Sequence, residues 1–198
     1  DIQNAEHAKA YMQELRLIMR YLGVSDADME KGHLRCDANI SLRPAGSTAY
    51  GTRAEIKNVN SFRHVRLALE YEERRQAALL DQGGRIIQET RLWQEKEGKT
   101  VSMRSKEEAH DYRYFPEPDL PPIRISDEFK ARVKAALPEL PEARRARFEK
   151  DYGLSPYDAR ILTASSARVS YFEDAVRLYG GSPKVMANWI GSELMGWL

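Results

Sequence analysis

Residues 33–43 read HLRCDANISLR, and apolar and polar side chains alternate along this stretch. An alternation with a period of two is typical of a strand that has one buried face and one polar face. The apolar set is Cys36, Ala38, Ile40 and Leu42, and the polar set is Arg35, Asp37, Asn39, Ser41 and Arg43. Residues 33–43 are therefore predicted to form a half-buried β-strand.

A second alternating stretch follows the turn predicted for residues 44–51. Between Thr52 and Asn58, the residues Ala54 and Ile56 alternate with Glu55 and Lys57. The short separation favours pairing of the two strands as a hairpin. We therefore expect one face of this hairpin to carry the charged side chains.

Helical patterns flank these strands. Apolar residues from Ala5 to Leu22 recur at helical spacing up to Gly23, and Ser61 is a good N-cap for a second helix that ends at Gly83-Gly84. Two further strands are predicted near residues 85–93 and 99–104. The order helix, two strands, helix, two strands predicts an α+β fold, with helices on one face of a mainly antiparallel sheet.

From Asp127 the pattern becomes helical throughout. Pro141 and Ser155-Pro156 are typical helix starts, and Gly153 and Gly180-Gly181 are typical helix ends. We therefore predict two domains, residues 1–126 and residues 127–198, the second of them all-α.

The composition excludes several classes of protein. The chain has 198 residues, of which 42% are hydrophobic, and a net charge of +1, so it lacks the positive excess of a dedicated nucleic-acid binder. It contains neither an apolar run long enough for a membrane helix nor a basic and apolar leader. Its single cysteine, Cys36, fits a reducing compartment, and a cytoplasmic protein without a membrane association is predicted. On the apolar side of its strand, Cys36 is expected to be a buried thiol rather than a nucleophile.

The common phosphate-binding and hydrolase motifs are absent, and the four histidines lack metal-ligand spacing. What remains is a set of polar and charged residues assigned to one sheet face: Asp37, Asn39, Glu55, Lys57, Glu89, Arg91 and Arg104. A solvated sheet face has such a mixture. A magnesium and phosphate site is the alternative, since carboxylates two residues apart in a strand point the same way and basic side chains neutralise phosphate oxygens.

Two further segments have a functional and a structural interpretation. Asn58-Val59-Asn60-Ser61 leads into a helix N-terminus, which favours an anion, although Ser61 is equally a plain helix cap. Tyr112, Arg113 and Tyr114 lie in the loop DYRYFPEPD, residues 111–119. These side chains suit the stacking of an unpaired RNA end, or else pack on the sheet as a lid.

Four segments together resemble one protein family. They read RCDANISLRP (35–44), EIKNVNSF (55–62), QETR (88–91) and DYRYFPEPD (111–119). In this order they are similar to the signature blocks of the GatB family, the B subunits of the glutamyl/aspartyl-tRNA amidotransferases. The resemblance extends over essentially the whole chain.

The resemblance implies a fold and a reaction. It implies part of a cradle domain similar to the glutamine synthetase and guanido kinase fold, followed by a helical domain, with the first half of the cradle and a tail domain outside the chain. It also implies that ATP and Mg²⁺ serve to phosphorylate the side-chain carboxylate of Glu-tRNA(Gln) or Asp-tRNA(Asn). Ammonia from a glutaminase A subunit then displaces the phosphate, and a small C subunit ties the other two together.

The resemblance also assigns roles to residues. Asp37 and Glu55 are expected to bind magnesium and, with Lys57, to take part in catalysis. The alternative is a plain salt-bridge cluster in which Lys57 neutralises the two carboxylates. The resemblance also makes Lys57, Arg91 and Arg104 candidates for phosphate contacts. The polar sheet face and the helix N-terminus described above add Asn39, Asn58, Asn60 and Ser61 as nucleotide-binding candidates. The isolated chain is expected to be inactive, and a non-catalytic tRNA-binding or scaffold module is the alternative function.

Overall fold

The computed structural model describes residues 2–105 and 118–197, without the side chains of residues 104 and 105. The chain falls into two compact units, each with its own core. One comprises Asp1–Glu14 and Ala27–Arg124, and the other comprises Leu15–Asp26 and Ile125–Leu198. The assignment of residues 1–126 and 127–198 as domains stays a prediction.

The first unit contains a four-stranded mixed sheet in the order β1-β2-β3-β4. β1 and β2 are antiparallel, β2 and β3 are parallel, and β3 and β4 are antiparallel. Two parallel neighbours need a crossover connection, which α2 supplies between β2 and β3. The elements are α1 (Ala5–Tyr21), β1 (Ala38–Ile40), β2 (Ala54–Lys57), α2 (Phe62–Asp81), β3 (Glu89–Gln94) and β4 (Lys99–Ser105). The predicted α+β class is confirmed, as is the predicted order of these elements.

The strands are shorter than the alternating patterns that predicted them. Residues 33–43 alternate, but only Ala38–Ile40 pair with β2. The register matches Ala38 with Ile56 and Ile40 with Ala54, the first residue of β2, so the two strands pair over three residues each. Side-chain alternation therefore continues beyond the hydrogen-bonded strand.

The core of the first unit lies between the sheet and its helices. Ile56 and Trp93 from the strands pack with Val65, Ala68 and Leu69 from α2. Cys36, Ala38 and Ile40 pack half-buried against this cluster, on the face predicted to point inward. Ser61 is the N-cap of α2, as predicted, and its hydroxyl accepts a hydrogen bond from the backbone N–H of His64 at 3.1 Å.

The second unit is helical, apart from irregular connections. Phe148, Leu162 and Phe172 are buried in its core, and the ring centroids of Phe148 and Phe172 are 5.1 Å apart. Pro141 and Pro156 start helices, whereas Gly153 and Gly180 end helices in the left-handed conformation, each at a predicted position. The helices are the C-terminal part of α1, then α3 (Asp127–Ala135), α4 (Pro141–Tyr152), α5 (Pro156–Leu162), α6 (Ser166–Tyr179), α7 (Pro183–Trp189), a π-helical segment (Ile190–Leu194) and α8 (Met195–Trp197).

Over residues 2–105 and 118–197, no helix has both the length and the apolar character needed to cross a bilayer.

Candidate functional site

Asp37, Glu55 and Lys57 form a charged cluster at the end of the first hairpin. Lys57 Nζ lies 3.2 Å from Asp37 Oδ2 and 3.2 Å from Glu55 Oε1. The antiparallel register places Asn39 opposite Glu55, and residues two apart on a strand share a face. The two carboxylates therefore lie on one face, as the alternation predicts, and the same Lys57 ammonium contacts both of them.

The two carboxylates have different surroundings. The Glu55 side chain is 13% exposed, whereas that of Asp37 is 55% exposed. Thr90 lies beside Glu55 in the parallel register, and its hydroxyl donates a 3.4 Å hydrogen bond to Glu55 Oε2. Glu55 is thus the sheltered member of the pair, and Asp37 is the member open to solvent.

Three nucleotide-binding candidates lie in the turn between β2 and α2. Asn58 has a φ of +65°, in the left-handed region that few residues other than glycine adopt. Its side-chain amide donates to the Trp93 carbonyl at 3.0 Å and its side-chain oxygen accepts a 3.2 Å bond from Asn60. With the Ser61 cap, these bonds fix the path from β2 into α2. The Asn58 amide is bonded to β3 and the Ser61 hydroxyl to the first turn of α2, and nucleotide binding by Asn58, Asn60 and Ser61 stays a prediction.

The other candidates are located only in part. Asn39 is exposed on β1, in register with Glu55. The backbone of Arg104 pairs in register with Thr90, but its side chain is outside the described atoms. Tyr112, Arg113 and Tyr114 lie outside the described residues.

The prediction that Glu89 and Arg91 share the face of Glu55 is wrong. The register pairs Glu89 with Ala54 and Arg91 with Ile56, both buried residues of β2. Paired residues of neighbouring strands point to the same side of a sheet, so Glu89 and Arg91 point toward α2. The sequence predicts a strand that begins near residue 85, but it does not predict how this strand aligns with β2. That alignment depends on contacts between the two strands, and the alternation within one strand does not determine it.

Glu72 is a buried charge that the sequence interpretation missed. It lies on α2 with 0% exposure, and Arg91 Nε lies 2.9 Å from its Oε1. Arg75 makes two bonds to its carboxylate, at 2.8 and 2.9 Å, and the Thr100 hydroxyl also contacts it. The signal for it was its position in the inward stripe of α2 with Val65, Ala68, Leu69 and Gln76.

The partners of Glu72 keep it ionised. Burial raises the pKa of this carboxyl, but the hydrogen bonds from Arg75, Thr100 and Gln76 and the charge of Arg75 together outweigh burial, and its pKa falls below the ordinary value. Arg91 also donates to the Thr100 carbonyl at 3.0 Å and pairs with Glu89. Its guanidinium thus joins α2, β3 and β4, and its role as a phosphate contact stays a prediction.

Cys36 is half-buried against the core of the first unit. Burial raises the pKa of its thiol, and the negative charge of Asp37 raises it further. The thiol is therefore protonated at neutral pH, which does not suit a nucleophile.

Comparison with known proteins identifies relatives of this chain. The GatB/GatE catalytic domain family matches residues 1–131. The B subunit of the aspartyl/glutamyl-tRNA(Asn/Gln) amidotransferase of Persephonella marina is 57% identical over 196 residues, covering 99% of this chain and 41% of the relative. The corresponding B subunits from Carboxydothermus hydrogenoformans and Solidesulfovibrio magneticus are 54% and 57% identical, and each match covers 98% of this chain.

The matches extend through the helical region of the chain, and the chain spans about two fifths of the length of these curated relatives. The family match covers most of the chain, including β1, β2 and the charged cluster that they carry. On this match, the chain belongs to the GatB/GatE catalytic domain family.

Proposed function

We propose that this chain is part of the carboxylate-activating subunit of a tRNA-dependent amidotransferase. The observation that carries the proposal is the cluster of Asp37, which directly precedes β1, with Glu55 and Lys57 of β2, in a chain of this family. The substrate is the side-chain carboxylate of glutamate or aspartate on misacylated tRNA. ATP provides the phosphoryl group, and the A and C subunits are the partners, with A releasing ammonia from glutamine.

The cluster has donor atoms that suit Mg²⁺. Magnesium in nucleotide sites is commonly held by one or two carboxylates, with substrate phosphates and water completing its coordination. In the part of the chain that the structure describes, no group of three or more His, Cys, Asp or Glu side chains is placed to hold a metal. Asp37 and Glu55 fit the two-carboxylate arrangement, and Mg²⁺ bound there would offset the negative charge of the phosphate oxygens.

Lys57 has an electrostatic role at this site. Two neighbouring carboxylates repel each other, and the Lys57 ammonium between Asp37 and Glu55 relieves that repulsion. A lysine beside a phosphate site also neutralises the transferred phosphoryl group. Lys57 therefore keeps the two carboxylates together and adds positive charge where the phosphates bind.

The reaction balances in two steps. A carboxylate oxygen of the aminoacyl side chain forms a bond to the γ-phosphorus, and the bond to the bridging oxygen breaks with its electron pair leaving on ADP. Ammonia then attacks the acyl carbon, the carbon–oxygen bond to phosphate breaks, and a proton is lost. The products are an amide and inorganic phosphate.

The test uses the complete amidotransferase, because the chain is shorter than its relatives. We expect Asp37→Asn and Glu55→Gln to suppress tRNA-dependent ADP release, and to lower the yield of acyl phosphate trapped by hydroxylamine. Glutamine hydrolysis by the A subunit should persist. In any variant that retains activity, the Mg²⁺ concentration needed for half-maximal activity should rise, because a carboxylate ligand is lost.

Glu97→Gln is the matched control, since Glu97 forms an exposed pair with Lys99 at the turn between β3 and β4. It should behave as wild type. Full amide formation by Asp37→Asn and Glu55→Gln would contradict the proposal, and would favour the non-catalytic tRNA-binding or scaffold module.

A further inference from the structure

The loop between β1 and β2, residues 41–53, is long for a hairpin. Hairpin loops usually have about 2–5 residues, and longer ordered loops are often functional. Arg43 and Arg53 are exposed on this loop, and its sequence, SLRPAGSTAYGTR, contains no acidic residue. The loop is therefore a local positive surface in a chain whose charges nearly cancel.

The backbone of this loop is held by internal contacts. The N–H of Ser47 donates to the Pro44 carbonyl at 3.1 Å, and Arg43 Nη1 donates to the Thr48 carbonyl at 3.1 Å. Gly51 packs against Leu42 so closely that an added Cβ would lie 1.9 Å from the Leu42 carbonyl oxygen. These contacts define the position from which Tyr50 projects.

Tyr50 and Arg43 form a stacked pair at the surface. The Arg43 guanidinium carbon lies 5.3 Å from the centroid of the Tyr50 ring, within cation–π range. Tyr50 is nevertheless 82% exposed, so much of its ring surface is open to solvent. An exposed aromatic ring beside a guanidinium suits a nucleobase, which stacks on either plane, while arginine also neutralises phosphate.

We propose that Tyr50, Arg43 and Arg53 form a binding site for an unpaired RNA nucleotide at the 3′ end of tRNA. The inference rests on the proposed function, because that function supplies the tRNA. The loop leads from β1 into β2, the strand that carries Glu55 and Lys57, so a nucleotide held there is anchored to the same hairpin as the charged cluster. The base stacks on Tyr50, and the arginines contact its phosphates.

The test measures the dissociation constant for tRNA by filter binding, with the complete amidotransferase. The variants are Tyr50→Ala and Tyr50→Phe, and the control is Tyr157→Ala, which removes a tyrosine of α5 that is 63% exposed. Each protein is titrated with intact tRNA and with the same tRNA lacking its unpaired 3′ end. The apparent KM for ATP and the co-purification of the partner subunits are recorded in parallel.

Tyr50→Ala should weaken the binding of intact tRNA by about 5- to 100-fold, the range for loss of one stacked base. Tyr50→Phe keeps the ring and should retain wild-type affinity, as should Tyr157→Ala. Wild type and Tyr50→Ala should bind the shortened tRNA equally. Arg43→Gln should reduce the slope of log affinity against log salt concentration by about one, the amount expected for the loss of one phosphate contact.

Wild-type affinity of Tyr50→Ala for intact tRNA would overturn the inference, and so would an equal loss for both tRNAs. A raised KM for ATP with unchanged tRNA binding would show instead that the loop binds the adenine base of ATP. Loss of co-purifying subunits would assign it to a protein interface. Asp37→Asn separates the two proposals: if it activates tRNA normally while Tyr50→Ala binds poorly, the proposed function fails and this site stands.

Discussion

Glu72 on α2 and Arg91 on β3 form an ion pair inside the first unit, with 2.9 Å between Oε1 and Nε. The Glu72 side chain is 0% exposed and that of Arg91 is 11% exposed. A buried pair stabilises little relative to an apolar pair, but the removal of one partner leaves the other charge buried without compensation. This cluster therefore makes the packing of α2 on the sheet dependent on a single carboxylate.

We expect Glu72→Gln to lower the free energy of unfolding by about 3 kcal/mol, near the lower end of the range for a broken buried pair, because Glu89 still faces Arg91. Chemical denaturation would measure the change. Glu70→Gln on the same helix is the control, because Glu70 is half-buried in a pair with Arg66 and should cost less than about 1 kcal/mol. Similar losses in the two variants would contradict a special role for Glu72.

Asn58 provides a prediction about backbone strain. Its φ of +65° costs an alanine about 1–2 kcal/mol, whereas glycine adopts this conformation freely. Both substitutions lose the hydrogen bond to the Trp93 carbonyl, so the difference between them isolates the strain. Asn58→Ala should be less stable than Asn58→Gly by about 1 kcal/mol in thermal or chemical unfolding.

The same pair of substitutions at Asn60 is the control. Among the described non-glycine residues, only Ala27 and Asn58 have a positive φ, so Asn60 lacks this strain. There, alanine should be at least as stable as glycine. If Ala and Gly differ equally at the two positions, the left-handed conformation of Asn58 is not the cause.

Local sequence patterns were sufficient to predict the order of helices and strands in the first unit and the shared face of Asp37 and Glu55. The alternation that places Ala54 and Ile56 inward also places Glu55 outward, because side-chain direction in a strand follows from parity alone. The caps at Ser61, Gly153 and Gly180 were predictable for a similar reason, since a helix end depends on the chemistry of a few adjacent residues.

What could not be predicted depends on contacts between distant segments. The face on which Arg91 lies is set by the parallel pairing of β3 with β2. Its partner Glu72 is on α2, which lies between these two strands in the sequence. Neither relationship is present in the pattern of the strand itself. The inward position of Glu72 on α2 is a signal for a buried basic partner that the sequence interpretation did not use, and the pattern does not specify which basic residue reaches it.

Gly51 tests whether the β1–β2 loop has the defined conformation that the tRNA inference requires. A Cβ at this position would lie 1.9 Å from the Leu42 carbonyl oxygen, so Gly51→Ala forces the two backbone segments apart. We expect a loss of about 1–3 kcal/mol in the free energy of unfolding, typical of overpacking. Gly191→Ala is the control, because a Cβ there meets open space and alanine favours helical backbone. A Gly51→Ala protein as stable as wild type would contradict the close contact.

The stability of the helical unit should depend on pH because of Glu139. Hydrogen bonds from Arg147 at 2.8 Å, opposed in part by burial and supported by Arg144, lower the pKa of this carboxyl to about 2. The ordinary pKa of an unfolded glutamate is about 4.3. Because the folded pKa is lower, the stabilisation is present above the unfolded value and is lost as the pH falls toward about 2.

The stability difference between wild type and Glu139→Gln should therefore be constant near neutral pH and shrink between about pH 5 and pH 2. Urea unfolding of the two proteins at several pH values measures it, and Arg147→Met should remove most of the same dependence, since Arg147 is the main hydrogen-bond donor to Glu139. Asp174→Asn breaks an exposed pair with Arg177 on α6, and should change stability by less than about 1 kcal/mol throughout. If the stability difference between wild type and Glu139→Gln is the same at pH 2.5 as at neutral pH, the carboxylate charge of Glu139 does not stabilise the fold.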